Sequence, residues 1–100
     1  MLWAISRVAA PSFATEREKG LQPHVEYLQS QKNILVISGA TTSDDGKQFV
    51  GSLLIVNVKT RAEAQAFVDG DPFTKAGLFS KVTITRMSKG QFNPQAAADA

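Results

Sequence analysis

The chain has 100 residues, of which 43% are hydrophobic and 20% charged, and its formal net charge is +2. These values are typical of one globular domain, and so weak and mixed a charge predicts neither nucleic-acid nor membrane-surface binding. The absence of cysteine excludes a disulfide framework, a thiol nucleophile and a cysteine-ligated metal site. Because no signal peptide and no apolar run of membrane-helix length is visible, we expect a soluble, cytoplasmic protein.

The first predicted element is a strand over Leu2 to Ala9. This stretch contains tryptophan, isoleucine and valine, which favour strands, and it closes near Pro11. Proline has no backbone N–H to give to a strand ladder, so the strand is expected to end before it.

A helix is predicted next, but its start is ambiguous. Thr15 and Glu18 have the spacing of a capping box, whereas Gly20 and Pro23 disfavour a continuous helix. The prediction is therefore a loop or single turn to about residue 21. The helix then runs to about residue 32, with Pro23 in its first turn.

Two apolar strands are predicted in the middle of the chain. The first spans Asn33 to Ala40 and the second spans Phe49 to Val58. Between them, Thr41 to Gly46 is rich in short polar residues that form turns, so the second strand is expected to return antiparallel.

A second helix and a short helical segment follow. Thr60 and Glu63 form a capping box in front of strong helix formers, and Gly70 is a usual helix end. Asp71 then serves as the predicted N-cap of a short segment that begins at Pro72.

The last predicted strand spans Lys81 to Met87 and completes a domain over residues 1–88. Residues 89–100 are polar and alanine-rich, and we expect them to form a flexible tail with Phe92 as its only anchor.

This element order predicts an α+β fold of the ferredoxin-like type. A βαββαβ order gives a four-stranded antiparallel sheet with the helices on one face. The two middle strands are apolar at consecutive positions, which indicates that both faces of the sheet require burial. Since two helices cover one face, we expect a homodimer in which a second copy covers the other.

His24 is the only histidine and the leading candidate for proton transfer, because imidazole changes charge near neutral pH. The alternative is a surface histidine in an amphipathic helix. Asp71 likewise has a structural alternative as a helix cap. If the two met in the fold, the carboxylate would fix the imidazole tautomer and stabilise the imidazolium formed during proton abstraction.

The chain also resembles the YCII-related family over about residues 2–87. The matching residues are Leu21-Gln22-Pro23-His24-Val25-Glu26-Tyr27-Leu28, Ser38-Gly39-Ala40, Asp45-Gly46, Gly51-Ser52, Glu63-Ala64, and Asp71-Pro72-Phe73 with Ala76-Gly77. The resemblance implies a dimeric α+β barrel and an active site in which the family's histidine and aspartate correspond to His24 and Asp71.

The chain departs from the family at Leu21, where many relatives carry an arginine one turn before the histidine. A substrate anion would then be held by another residue such as Arg7, or not at all. Arg7, Tyr27 and Ser38 are our candidates for substrate binding, and each also fits a half-buried structural position. We expect no metal and no cofactor, because one histidine without cysteine provides no recognisable ligand spacing.

Two functions are compatible with these residues. The first is a cofactor-independent enzyme in which His24 abstracts a proton from a small polar substrate, in an elimination or isomerisation, while Asp71 orients the imidazole. The second is a non-catalytic dimer that binds a small molecule or regulates another process. A cofactor-free monooxygenase is a third interpretation, and it rests on analogy of fold alone.

Overall fold

Four antiparallel strands form one sheet, and the helices cover one of its faces. The computed structural model describes residues 1–100. In chain order its elements are β1 (Leu2–Ala9), α1 (Phe13–Ser30), β2 (Leu35–Thr42), β3 (Phe49–Asn57), α2 (Arg61–Gly70), α3 (Pro72–Lys75), β4 (Phe79–Met87) and a 3₁₀ helix (Pro94–Ala97). The spatial strand order β2-β3-β1-β4 is that of a ferredoxin-like α+β fold, which confirms the predicted architecture. No helix has both the length and the apolar character needed to span a membrane.

The main core lies between the sheet and the helices. Trp3 and Ile5 alternate along β1 toward the helices, and their antiparallel partners on β3 are Val56 and Leu54. All four side chains are buried, as expected for the inward face of a strand with period two. The indole Nε1 of Trp3 donates to the Val58 carbonyl at 3.1 Å, so its polar atom is satisfied as well.

Helix α1 begins well before the predicted position, and this is the main correction to the sequence analysis. The helix starts at Phe13 and contains both Gly20 and Pro23. Phe13 is 3% exposed and belongs to a second apolar cluster that includes Phe73. A Cβ on Gly20 would lie 3.3 Å from the Phe73 ring, so the glycine permits close packing of α1 on α3. Tertiary packing therefore stabilises a helix that local propensity disfavours.

The second helix and the short segment after it agree with the prediction. The Thr60 hydroxyl accepts the Glu63 amide N–H at 3.1 Å, which is one half of the predicted capping box. The Asp71 carboxylate accepts the Phe73 amide N–H at 3.0 Å, with proline in the first turn of α3. Among the strands, β2 lies two residues later than predicted at both its start and its end, and β4 begins two residues earlier than predicted. Differences of this size are usual at element ends.

The face of the sheet opposite the helices is apolar and open. Val8, Ile37 and Leu53 are each 45% to 55% exposed there. Leu54, the neighbour of Leu53 in the same apolar run, is 2% exposed and belongs to the main core. A consecutive apolar run does not reveal which of two neighbours points inward. The structure assigns the open face to Leu53, because Leu53 pairs with the exposed Ser6 and Leu54 pairs with the buried Ile5.

The C-terminal segment passes near this open face. Its 3₁₀ helix lies at Pro94–Ala97, and Phe92, the predicted anchor, is 63% exposed. A hollow of about 490 Å³ separates the segment from the sheet, with Ile37 and Ile55 among its lining residues. Phe92 therefore does not anchor the segment in the core of this chain.

Candidate active site

A pocket of about 160 Å³ lies between α1 and the sheet. Its polar or charged lining residues are Arg7, Arg17, His24, Ser38 and Ser52. The volume is below the usual 300 to 1,000 Å³ of pockets for drug-sized molecules. The pocket therefore fits a small molecule.

His24, which lines the pocket, contacts Asp71, which lies outside the pocket lining. Nδ1 of His24 lies 2.8 Å from Oδ1 of Asp71, although the residues are 47 positions apart in sequence. The imidazole also stacks on the Phe73 ring, with 3.9 Å between the centroids and 6° between the planes. Because a carboxylate only accepts hydrogen bonds, Nδ1 carries the hydrogen. Nε2 then holds the lone pair that can accept a proton.

The Asp71 carboxylate is 1% exposed and receives three hydrogen bonds. His24 Nδ1 and the Phe73 amide donate to Oδ1, and Arg7 Nη1 donates to Oδ2 at 2.7 Å. Burial raises the pKa of Asp71, but the bonds from His24, Arg7 and Phe73 outweigh it, and the net pKa lies below its ordinary value. Asp71 is therefore an ionised carboxylate in a nearly dry site.

Arg7 is committed to protein groups. Its Nε donates to Ser52 Oγ at 2.8 Å, its Nη1 donates to Thr74 Oγ1 at 3.2 Å as well as to Asp71, and its guanidinium lies 4.0 Å from the Phe79 ring centroid. Burial lowers the pKa of Arg7 and Asp71 opposes that shift, but a guanidinium stays charged at any physiological pH. The residue is 3% exposed, so it presents little free surface to a substrate anion.

The other two residues predicted to bind substrate lie in different places. Ser38 lines the pocket from β2. Tyr27 lies outside the pocket, where its hydroxyl donates to the Phe67 carbonyl at 2.7 Å. Burial, followed by the negative charges of Asp71 and Asp69, raises the pKa of Tyr27. The Tyr27 hydroxyl therefore remains protonated and joins α1 to α2.

Arg17 is a pocket residue that the sequence analysis missed. It precedes His24 by seven residues, a spacing that puts both on one face of a helix. Its Nε is buried without a hydrogen-bond partner, and its guanidinium lies 4.0 Å from the Phe49 ring centroid. The nearest carboxylate, that of Glu18, is 3.9 Å from Nη1. The seven-residue spacing was the available signal, but the predicted loop before residue 21 concealed it.

Ser52 was not among the predicted site residues either. Because its Oγ accepts from Arg7 Nε, its own hydrogen is free to donate elsewhere. Ser52 lines the pocket, so a ligand there has a hydroxyl donor within the cavity. Only the pairing of β3 with β1, which sets Ser52 opposite Arg7, brings this donor to the site.

Fold and site together define a small ferredoxin-like α+β protein in which a pocket histidine is hydrogen-bonded to a buried carboxylate. Arg17 and Ser52 add hydrogen-bond donors to the pocket lining. The chain belongs to the YCII-related domain family, whose sequence model matches residues 1–88.

A solved structure with a named activity is similar to this chain. It is the 5-chloro-2-hydroxyhydroquinone dehydrochlorinase from Burkholderia phenoliruptrix, in complex with 2,5-dihydroxybenzoquinone. The identity is 35%, the TM-score is 0.80, and the match covers 90% of this chain and 96% of the dehydrochlorinase. No curated protein matches the chain in sequence.

Proposed function

We propose that this protein is a cofactor-independent enzyme that abstracts a proton from a small polar substrate in an elimination or isomerisation. His24 Nε2 is the base, and Asp71 fixes the imidazole tautomer through Nδ1. The observation that supports this most directly is the 2.8 Å contact between Nδ1 and Oδ1 beside a small pocket. Such an arrangement stabilises the imidazolium that forms when the base takes a proton.

The similarity to a dehydrochlorinase supports elimination in particular. A dehydrochlorinase removes a proton and a chloride from one molecule, so its reaction is loss of hydrogen chloride. The base takes the proton, the electron pair left behind forms a π bond, and the chloride departs with its bonding pair. No electrons are gained or lost overall, and this chemistry needs no redox cofactor. We propose that this chain likewise removes a proton and a chloride from a small hydroxylated ring.

The proposed substrate carries an oxygen that becomes negatively charged during the reaction. Arg17 and Ser52 are the groups we propose to bind it, because Arg17 Nε has no protein partner and the Ser52 hydrogen is free to donate. Fixed hydrogen-bond donors directed at a developing charge stabilise that charge more strongly in a small pocket that excludes water than they do in water. Leu21 leaves no arginine one turn before His24, so Arg17 is the proposed anion-binding cation.

The decisive experiment measures chloride release from 5-chloro-2-hydroxyhydroquinone and binding of 2,5-dihydroxybenzoquinone. We expect turnover by the wild-type protein and a loss of about 100-fold or more in kcat for His24→Gln, the usual contribution of a positioned base. The variant should still bind the quinone, since the other pocket groups remain. Glu26→Gln, an exposed change on the same helix, is the matched control and should leave kcat unchanged.

Two outcomes would count against this proposal. Equal turnover by His24→Gln and wild type would remove His24 from the chemistry. Quinone binding without turnover of any halogenated or isomerisable ring would favour the second function, a non-catalytic dimer whose pocket holds a small molecule.

A further inference from the structure

Arg7 connects Ser52 of the pocket lining with Asp71 at the junction of α2 and α3. Through Nη1 it contacts Asp71, 64 positions away in sequence, and through Nε it contacts Ser52 on β3. A guanidinium can make both contacts because its donors form a rigid planar fork. The contact with Asp71 is a salt bridge in which both side chains are at most 2% exposed.

The charges around Asp71 determine whether His24 can act as a base. Besides Arg7 from β1, His24 bonds Asp71 directly, and the negative charge of Asp71 also acts on Tyr27 of α1. Arg17 of α1 lines the same pocket as His24 and adds a second cation to it. A buried carboxylate without a cation favours the charged form of a neighbouring imidazole. An imidazolium has no lone pair and cannot accept a proton. A lone buried aspartate would therefore orient His24 and at the same time hold it in the inactive charge state.

We propose that Arg7 is a positioning residue that supplies the counter-charge of Asp71 and so keeps His24 uncharged at neutral pH. The hydrogen bond from Nδ1 still orients the ring, but the charge of the carboxylate is already balanced at its other oxygen. Oδ1 accepts from His24 and from the Phe73 amide at the start of α3, whereas Oδ2 accepts from Arg7. One oxygen therefore orients the imidazole, and the other binds the counter-charge. The pKa of Asp71 below its ordinary value is consistent with this arrangement.

The presence of a single histidine allows a direct test by NMR. All imidazole signals of ¹⁵N-labelled protein belong to His24. In wild type we expect the uncharged imidazole to coexist with an ionised Asp71 carboxylate at neutral pH. In Arg7→Gln the pH midpoint of the imidazole signals should rise by about one unit, because loss of the positive charge on the other oxygen of the shared carboxylate favours the charged imidazole, and a nearby charge has effects of about that order.

Two further variants separate charge from packing. Arg7→Lys keeps the positive charge, so its midpoint should lie closer to wild type than that of Arg7→Gln. Ser52→Ala removes the Nε contact but leaves the Arg7–Asp71 salt bridge, and its midpoint should equal the wild-type value. A shift of the same size in Ser52→Ala would indicate that loosened packing, and not charge, moves the titration.

The proposal is overturned if folded Arg7→Gln titrates like wild type. If that variant does not fold, the NMR titration of the wild-type protein provides the test, because an imidazole still charged at about pH 8 contradicts the proposal. These measurements need no substrate, so they are independent of the proposed reaction. If the elimination assay succeeds, the acid limb of the kcat/KM profile in Arg7→Gln should move to higher pH by the same amount as the NMR midpoint.

Discussion

At the scale of the residue, Asp71 combines a local and a long-range role in one carboxylate. Its Oδ1 caps α3 by accepting the Phe73 amide, which fixes the side chain against its own backbone. The same oxygen accepts from His24, and the other oxygen accepts from Arg7. The helix cap therefore preorganises the acceptor that orients the imidazole, and the stacking of His24 on Phe73 holds the ring in place from one side.

Asp71→Asn tests the charge of this residue. Asparagine can still cap α3, but Arg7 becomes a buried cation without a counter-ion, so we expect a loss of about 3 kcal/mol in the free energy of unfolding at pH 7. Because the folded pKa of Asp71 lies below its ordinary value of about 3.9, its ionised form stabilises the fold above that pH. This stabilisation is lost as the pH falls through the folded pKa.

Chemical denaturation of wild type and variant at several pH values measures this effect. The difference in unfolding free energy should narrow below about pH 4, where the carboxylate of the unfolded wild-type chain takes up its proton. Asp69→Asn is the matched control, since Asp69 is exposed and accepts from Gln65 at the surface. A difference that stays constant with pH would mean that shape, and not charge, makes Asp71 important.

At the scale of the element, α1 presents two pocket residues and is also held by a contact outside the pocket. It carries His24 and Arg17 to the pocket, and Tyr27, one turn after His24, bonds the helix to α2. Gly70, the last residue of α2, leaves the room that the Tyr27 hydroxyl occupies: a Cβ there would lie 2.5 Å from that oxygen. The position of His24 therefore depends on a contact outside the pocket.

Gly70→Ala should destabilise the protein by forcing Tyr27 away from the Phe67 carbonyl. Overpacking of this kind costs about 1 to 3 kcal/mol. In a domain of this size each kcal/mol corresponds to roughly 4 to 8 °C in melting temperature. Thermal unfolding followed by circular dichroism measures the change. Gly90→Ala is the control, because no atom lies within 4 Å of a Cβ built there, and an equal melting temperature for both variants would show that Tyr27 adapts freely.

At the scale of the whole molecule, one sheet face lacks a cover. A chain of about 100 residues buries only about two thirds of its unfolded surface, and exposed apolar area is a strong reason to associate. Val8, Ile37 and Leu53 lie on strands of this open face, whereas Trp3 and Ile5 point to the helices. The homodimer predicted from the sequence would cover these side chains with the same face of a second copy.

Light scattering tests the dimer directly. We expect a species of twice the 10.8 kDa chain mass for wild type at micromolar concentration. Leu53→Lys should shift it to the monomer, because a lysine at the interface would bury an unpaired charge. Ala62→Lys, on the exposed side of α2, should remain dimeric. A wild-type protein of 10.8 kDa would contradict the prediction.

The sequence by itself determined the features that depend on neighbouring residues. The first strand, the capped start of α2 at Thr60 and the cap of α3 at Asp71 follow from short patterns of propensity and hydrogen bonding. The element order was also sufficient for the ferredoxin-like sheet. His24 could be selected because a single imidazole dominates the proton-transfer chemistry of a chain without cysteine. Its pairing with Asp71 was suggested by family resemblance alone.

Only the tertiary structure decided the features that depend on distant contacts. Burial of Phe13 against Phe73 starts α1 early and thereby brings Arg17 onto the face that carries His24. Strand pairing turns Leu54 inward and Leu53 outward, although the two are alike in sequence. Arg7, predicted as a substrate-binding candidate, lines the pocket and also binds Asp71, from which it is separated by 64 positions. Local patterns extend over a few residues, whereas packing and charge compensation are set by groups that only the folded chain brings together.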